Sequence, residues 1–217
     1  MKCRTLIQIA FAVLVTSGFC YSRQSIADLE AQVSRAPHDV NALLNLGIAY
    51  HNQAAAGNEE AVEKGFGCFD TLLAMDATNA VALVYRGSLW TMRGRDAWWP
   101  FTKMSDVDKG IDEMDKAVDL DPDNVTVRLT RAINSVHLPS MFKRLGTALK
   151  DLTYLLNHPG FSKFQAGLQS TIYYWAGFAY KQDNQREKAK ALFQKAIDVA
   201  PDSDTVRNAR RELKDLS

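Results

Sequence analysis

The chain has 217 residues, of which 47% are hydrophobic and 24% are charged. This composition excludes a disordered chain and fits one folded domain or one array of repeats. The formal net charge is +1, so nothing indicates nucleic-acid binding, which depends on a strongly basic surface.

The first 22 residues have the pattern of an export signal. Lys2 and Arg4 form a positively charged start, and residues 6–15 are apolar apart from Gln8. This apolar run is too short to span a bilayer and has the length of a signal-peptide core. Residues 1–22 are therefore predicted to be a cleaved signal peptide, which places the mature protein in the bacterial periplasm or outside the cell.

Two alternatives to simple cleavage remain for the N-terminal segment. Cys20 could carry a lipid, or the segment could stay uncleaved as an anchor. Bacterial lipoprotein signals have a leucine-like residue and a small residue where this chain has Ser17 and Phe19, so the match is poor. Membrane association is expected only through this segment or through lipidation at Cys20. Cys68 is then the one cysteine of the mature chain, and we expect a small buried hydrophobe there.

After residue 22 the sequence predicts only helices and turns. Apolar residues recur at spacings of three and four, and no alternating run is long enough for a sheet. Breakers such as "RAPHD", "DATNA" and "APDSD" recur about every 40 residues, a period typical of a helical repeat array. Six segments are predicted within 25–217: 25–36 as a lone helix, repeat units at 40–78, 80–123, 125–160 and 162–201, and a capping helix at 203–217.

The unit at 162–201 carries the clearest motif, "STIYYWAGFAYKQDNQREKAKALFQKAIDVAP", which resembles the tetratricopeptide repeat. Its signature positions hold Tyr173, Ala176, Gly177, Tyr180, Ala189, Phe193, Ala196 and Pro201. Small residues let the two helices approach closely, aromatic residues fill the space between them, and Pro201 ends the second helix. The resemblance implies an all-α fold, a right-handed α-solenoid of helix-turn-helix repeats with a C-terminal capping helix.

The resemblance extends over about residues 25–217 and is weakest in the third unit, where Arg128 replaces an apolar residue. If Arg128 and Arg131 were buried without partners, the predicted register of this unit would be wrong. The units are also longer than the standard repeat of about 34 residues. The surplus is expected between paired helices, near "AAAGNE", at "GRDAWWPFTKM" and at "HLPSMF".

Equivalent loops of stacked repeats lie on one edge, so these insertions are expected to share a rim. The candidate rim residues are Trp98, Trp99, Phe101, Met141 and Phe142. Such large apolar side chains are expected to be buried. Either the insertions pack on each other and cap the array, or they form a docking patch for a protein or a membrane surface.

The resemblance also implies that the first helix of each unit lines a concave groove. The candidate groove residues are Asn41, Asn45, Tyr85, Ser88, Ile133, Tyr174, Trp175 and Phe178. Lys181 is the one basic residue at the equivalent positions, so the lysine-rich clamp of some relatives is absent. An apolar, aromatic groove suits an extended or helical apolar segment of a partner. The alternative is that a tight superhelix buries part of this stripe.

Motifs for catalysis, metals and cofactors are missing from the sequence. "DLDPDN" lacks the glycine and glutamate of a calcium loop, so Asp123 or Asn124 is predicted to cap the next helix instead. The four histidines have no metal-ligand spacing, and no GxSxG, HExxH, P-loop or GxGxxG occurs. We expect an exported, non-catalytic adaptor without a cofactor that binds a protein partner. The alternative is a carrier of a small apolar ligand in the groove.

Overall fold

The computed structural model describes residues 24–216, within which every regular element is helical. The α-helices are α1 (Ile26–Arg35), α2 (Val40–Ala55), α3 (Glu60–Met75), α4 (Ala80–Asp96), α5 (Pro100–Leu120), α6 (Val125–His137), α7 (Leu145–Leu156), α8 (Ala166–Gln182), α9 (Arg186–Val199) and α10 (Asp204–Asp215). Short 3₁₀ helices at Ser140–Phe142 and Phe161–Lys163 precede α7 and α8. The predicted all-α class is confirmed, whereas the predicted signal peptide, Cys3 and Cys20 lie outside the described residues.

Side-chain caps at the turns explain where several helices begin. Ser25 and Asp28 form a reciprocal capping box at the start of α1. Asp39 accepts hydrogen bonds from the backbone at the start of α2, and Asn79 accepts one from Ala82 N at 2.9 Å in α4. Asn124 caps α6 in the same way, so its predicted capping role is confirmed. Each cap satisfies an N–H group that has no partner inside the helix.

The chain divides into two compact units after Pro122. In the first unit, α2 packs on α3 and α4 packs on α5, each pair as a hairpin, with α1 against α2 and α3 against α4. Helix α2 also contacts α4, so the hairpins stack in sequence order, as in an α-solenoid. The largest fully buried side chains here are Tyr85, Phe69, Leu72, Leu89, Met114, His51 and Val84.

Glycines at the crossing of α4 and α5 bring the two helices into backbone contact. A Cβ atom on Gly110 would lie 2.5 Å from the carbonyl oxygen of Gly87, and one on Gly87 would lie 2.8 Å from that of Gly110. No side chain fits at such distances, so both positions require glycine. Near the far end of the same pair, a Cβ on Gly94 would lie 2.9 Å from Lys103 O, so the close approach continues along the hairpin.

The second unit repeats this plan with α6 on α7, α8 on α9, and α10 against α8 and α9. A Cβ on Gly177 would lie 2.9 Å from the Phe193 ring, which is the small-against-aromatic contact that the motif predicts. The predicted capping helix is confirmed as α10, whose Val206 and Ala209 are buried, as is Leu216 at its end.

One expected insertion is wrong in its form. "GRDAWWPFTKM" is expected to lie between the paired helices, but α4 continues to Asp96 and α5 begins at Pro100, so only residues 97–99 join them. Proline is compatible with the first turn of a helix, where its missing N–H has no partner to lose. The surplus residues therefore lengthen both helices. At "HLPSMF" the surplus does lie between α6 and α7, partly as a 3₁₀ turn.

Candidate functional site

The junction of α4 and α5 exposes an unusual amount of aromatic surface. Trp98 is 87% exposed, Phe101 76% and Trp99 50%. The rings of Trp98 and Trp99 meet edge to face with centroids 5.5 Å apart, and those of Trp99 and Phe101 are 6.1 Å apart. These three side chains form one contiguous cluster, which we call the tryptophan turn.

The base of the tryptophan turn is fixed by contacts between the two helices. Arg93 Nε in α4 donates to Asp106 Oδ2 in α5 at 2.9 Å, and Asp106 is buried. Lys103 Nζ donates to the carbonyl oxygen of Arg95 at 2.8 Å. The close approach of α4 to α5 at Gly94 is a third contact between the two helices. The aromatic side chains therefore project from a braced hairpin end rather than from a long loop.

The charges beside the tryptophan turn are largely compensated. Arg95 forms two hydrogen bonds to the carboxylate of Asp96, with Nη2 to Oδ2 at 2.6 Å. Lys103 is engaged by a backbone carbonyl, as described above. The surface that the turn presents is therefore mainly apolar.

Trp98 and Phe101 are not covered by the described part of the chain, so the alternative in which the insertions bury each other does not hold for these two side chains. Burying the exposed 87% of Trp98 would contribute roughly 3–5 kcal/mol, at about 25 cal/mol per Å² of apolar surface. Because Trp98 stays exposed, this free energy does not stabilise the fold. The two other candidate rim residues lie in the 3₁₀ turn before α7, where Met141 is 63% exposed and Phe142 is half-buried.

The candidate groove residues are mostly inside the protein. Tyr85, Ser88, Ile133, Tyr174 and Trp175 are buried, Phe178 is half-buried, and Asn41 and Asn45 are exposed. The buried rings are occupied by neighbours within their own unit. Tyr85 stacks on Phe69 with centroids 5.8 Å apart, and Tyr174 lies 5.7 Å from Phe193. In this conformation a partner segment reaches neither of these rings, because the stripe is part of the core.

A buried polar pair joins α2 to α4. His51 Nε2 lies 2.7 Å from Ser88 Oγ, and the imidazole and the Tyr85 ring meet edge to face with centroids 4.9 Å apart. Burial lowers the pKa of His51 to about 4, so the ring is neutral at pH 7. A histidine beside a serine hydroxyl is the arrangement of an activated nucleophile. Both residues are buried, however, so this pair contributes to packing and is closed to a substrate.

Cys68 is buried in α3, as predicted, and burial raises the pKa of its thiol to about 11. It is therefore a protonated, apolar side chain at neutral pH. Among residues 24–216, no three His, Cys, Asp or Glu side chains are grouped so as to hold a metal ion. None of the helices described above is both long and apolar enough to cross a bilayer.

Residues 170–203, which span most of α8 and all of α9, match the family model of the tetratricopeptide repeat. The thermophilic tetratricopeptide repeat protein TTC0263 of Thermus thermophilus shares the fold, with a TM-score of 0.69 over 87% of this chain and 89% of that one, at 16% identity. Residues 170–203 are thus similar to a tetratricopeptide repeat, and the chain has the fold of a tetratricopeptide repeat protein.

A second solved structure matches with a lower TM-score. YrrB, a tetratricopeptide repeat protein with an unusual peptide-binding site, is 17% identical over 86% of this chain and all of its own, with a TM-score of 0.39. A search of curated protein sequences found no match.

Proposed function

We propose that this tetratricopeptide repeat protein is an exported, non-catalytic adaptor that binds a partner protein through the tryptophan turn. The exposure of Trp98, Trp99 and Phe101 on a braced hairpin end is the observation that supports it. Tryptophan is enriched among the few interface residues that contribute most binding energy. A soluble chain has no folding reason to present three adjacent aromatic side chains to water.

The size of the patch favours a partner that encloses it over a second copy of the chain. From their exposed fractions, the three side chains offer roughly 300–500 Å². A symmetric dimer through this turn alone would bury roughly twice that area, which falls short of the ~1,200 Å² of a stable interface. A pocket on another protein can surround the rings and add contacts of its own.

The compensated charges favour a protein over a lipid surface. Anchoring at an anionic bilayer usually combines aromatic side chains with free lysines and arginines. Here Arg95 is paired with Asp96, and Lys103 is held by a backbone carbonyl. An apolar pocket in a partner matches this surface better.

Site-specific crosslinking tests the docking proposal. The photoreactive residue benzoylphenylalanine replaces Trp98 in the full chain, and Lys116, exposed in α5 of the same unit, is the control position. We expect one discrete protein adduct from position 98 and none from position 116. No adduct at 98, adducts with lipid alone, or the same adducts at both positions would remove the tryptophan turn from the function.

The binding affinity is then measured with the partner protein that crosslinking identifies, in purified form. The double substitution Trp98→Ala/Trp99→Ala is expected to weaken its binding at least tenfold, because such anchors contribute about 2 kcal/mol or more. The matched control is Met75→Ala/Leu120→Ala, which removes two exposed apolar side chains at the C-terminal ends of α3 and α5. The control should bind within twofold of the wild type.

The export part of the proposal rests on Lys2, Arg4 and the apolar residues 6–15. Mass spectrometry of the protein from separated periplasm and cytosol tests it. We expect a periplasmic chain that begins after residue 22. A lipid mass on Cys20 would establish the anchored form instead, and a full-length cytosolic chain would contradict export.

A further inference from the structure

Helix α10 has two faces of opposite character. Its apolar residues Val206 and Ala209 are buried against α8 and α9. Its basic residues lie at spacings of three and four, which places them on one face of the helix. All four are exposed: Arg207, Arg210, Arg211 and Lys214. We call them the basic face.

The cations of the basic face differ from those of α9 in how they are engaged. On α9, Lys190 pairs with Glu187, while Lys188 and Lys195 lie over the rings of Tyr180 and Tyr173. Within residues 24–216 no salt bridge of 4 Å or less is formed by any member of the basic face. Glu212, which follows Arg211 in the sequence, is bound by Lys181 of α8.

We propose that the basic face of α10 binds an acidic, extended segment of a partner protein. The step from Arg207 to Lys214 is seven residues, or about 10 Å of helix. About three residues of an extended chain cover this length, so its alternate side chains can reach successive cations. Three of the four cations are arginines, whose planar guanidinium groups pair with carboxylates through two parallel hydrogen bonds.

The acids around α10 favour a narrow occupant over a broad anionic surface. Asp204 and Asp215 lie at the two ends of the helix, and Asp202 is exposed just before it. A flat anionic bilayer would approach these carboxylates together with the cations and be repelled by them. A single acidic chain contacts the basic face alone. This surface belongs to the second unit and does not involve the tryptophan turn, so it extends the proposed function to a second contact.

A peptide-binding measurement tests the proposal on the full chain. The probe is fluorescein-labelled octaglutamate, and octaglutamine is its neutral counterpart. The variant Arg207→Gln/Arg211→Gln/Lys214→Gln should weaken octaglutamate binding about tenfold, since each exposed ion pair accounts for up to about a fivefold change. The matched control Lys188→Gln/Lys190→Gln/Lys195→Gln removes the same charge from α9 and should stay within twofold. Higher salt should weaken wild-type binding.

Two further variants and a vesicle-binding measurement distinguish the possible outcomes. The single substitution Arg211→Gln gives a smaller loss, of about two- to fivefold, and keeps the test valid if the triple variant folds poorly. Trp98→Ala/Trp99→Ala should bind octaglutamate like the wild type, which separates this surface from the tryptophan turn. The proposal is overturned if the wild type does not bind octaglutamate, if octaglutamine binds equally, or if both triple variants lose equally. Binding to phosphatidylglycerol vesicles without binding to the peptide would assign the face to lipid instead.

Discussion

Arg131 holds Asp151 through two hydrogen bonds, from Nε to Oδ2 at 2.8 Å and from Nη2 to Oδ1 at 2.7 Å. Arg128 donates to the same Oδ1 atom at 2.7 Å, and Asp151 is completely buried. The guanidinium of Arg128 also lies 3.8 Å from the centre of the Tyr154 ring. Both arginines are thus buried but partnered, so the condition that would overturn the predicted register of the third unit is not met. A charged network joins α6 to α7 where the family has an apolar contact.

Removing the shared carboxylate should destabilise the second unit strongly. Asp151→Asn leaves two buried guanidinium groups without their anion, and loss of one partner from a buried network lowers the free energy of unfolding by about 3–5 kcal/mol. Urea denaturation followed by circular dichroism measures the change. The matched control is Asp70→Asn, because Asp70 pairs with Arg86 but its side chain is 59% exposed. The control should change stability by less than about 1 kcal/mol, and equal effects of the two substitutions would contradict the buried role of Asp151.

A methyl group at the crossing of α4 and α5 should be harmful. In Gly110→Ala the new Cβ would lie 2.5 Å from the Gly87 carbonyl oxygen, so the helices must separate, at a cost of about 1–3 kcal/mol or more. Gly67→Ala in α3 is the control, because a Cβ there meets nothing within 4 Å. Alanine is the better helix former, so this control should raise stability by up to about 1 kcal/mol. Thermal denaturation of both variants checks the two signs, and a stabilising Gly110→Ala would refute the close contact.

The fold could be predicted from sequence wherever one local pattern determines a contact. The spacing of Gly177 and Phe193 predicts their packing, and the stripe through Val206 and Ala209 predicts the inner face of α10. The network around Asp151 could not be predicted, because its arginines lie 20 and 23 residues away and their pairing depends on the crossing of α6 and α7. The proline of "GRDAWWPFTKM" fits a connection between helices, although the first turn of a helix accepts proline equally well.

The candidate site was harder to predict than the fold, because exposure depends on the surrounding helices. Tyr85 and Trp175 occupy positions that line a groove in relatives, yet neighbouring side chains cover them here. For Trp98 the sequence leaves open whether the chain itself or a partner covers the ring, because the large apolar surface of tryptophan favours burial in either case. In the sequence of α10, acidic residues are interleaved with the basic ones, which indicates only a solvated surface. The basic face is recognised only when the packing of α10 shows which side of the helix is exposed.

The exposure of Trp98 predicts a contrast with a tryptophan of the core. Trp98→Ala should change the free energy of unfolding by less than about 0.5 kcal/mol. Trp175→Ala should lower it by about 3–5 kcal/mol, because Trp175 is buried against Tyr174 and Phe178. Chemical denaturation of both variants provides the comparison. A large loss of stability in Trp98→Ala would show that the tryptophan turn supports the fold and would weaken the docking proposal.

The neutral imidazole of His51 makes stability depend on pH in a defined window. Burial lowers the pKa of this ring to about 4, whereas an unfolded histidine has a pKa of about 6.5. The unfolded chain therefore takes up a proton at this residue first as the pH falls. The contribution of the neutral His51 to the free energy of unfolding is complete above about pH 6.5. It is lost as the pH falls from about 6.5 to 4, and the total loss is on the order of 3 kcal/mol.

Comparing the wild type with His51→Gln isolates this effect from the other titrating groups. Glutamine can still hydrogen-bond to Ser88 but does not titrate, so the variant should lose less stability than the wild type between pH 6.5 and 4. Urea midpoints measured at half-unit steps of pH provide the two curves. Since Ser88 Oγ lies 2.7 Å from the ring nitrogen, Ser88→Ala should lower stability at pH 7 without removing the pH dependence. Parallel curves for the wild type and His51→Gln would show that His51 keeps an ordinary pKa in the folded chain, and the buried pair between α2 and α4 would then be more hydrated than its contacts indicate.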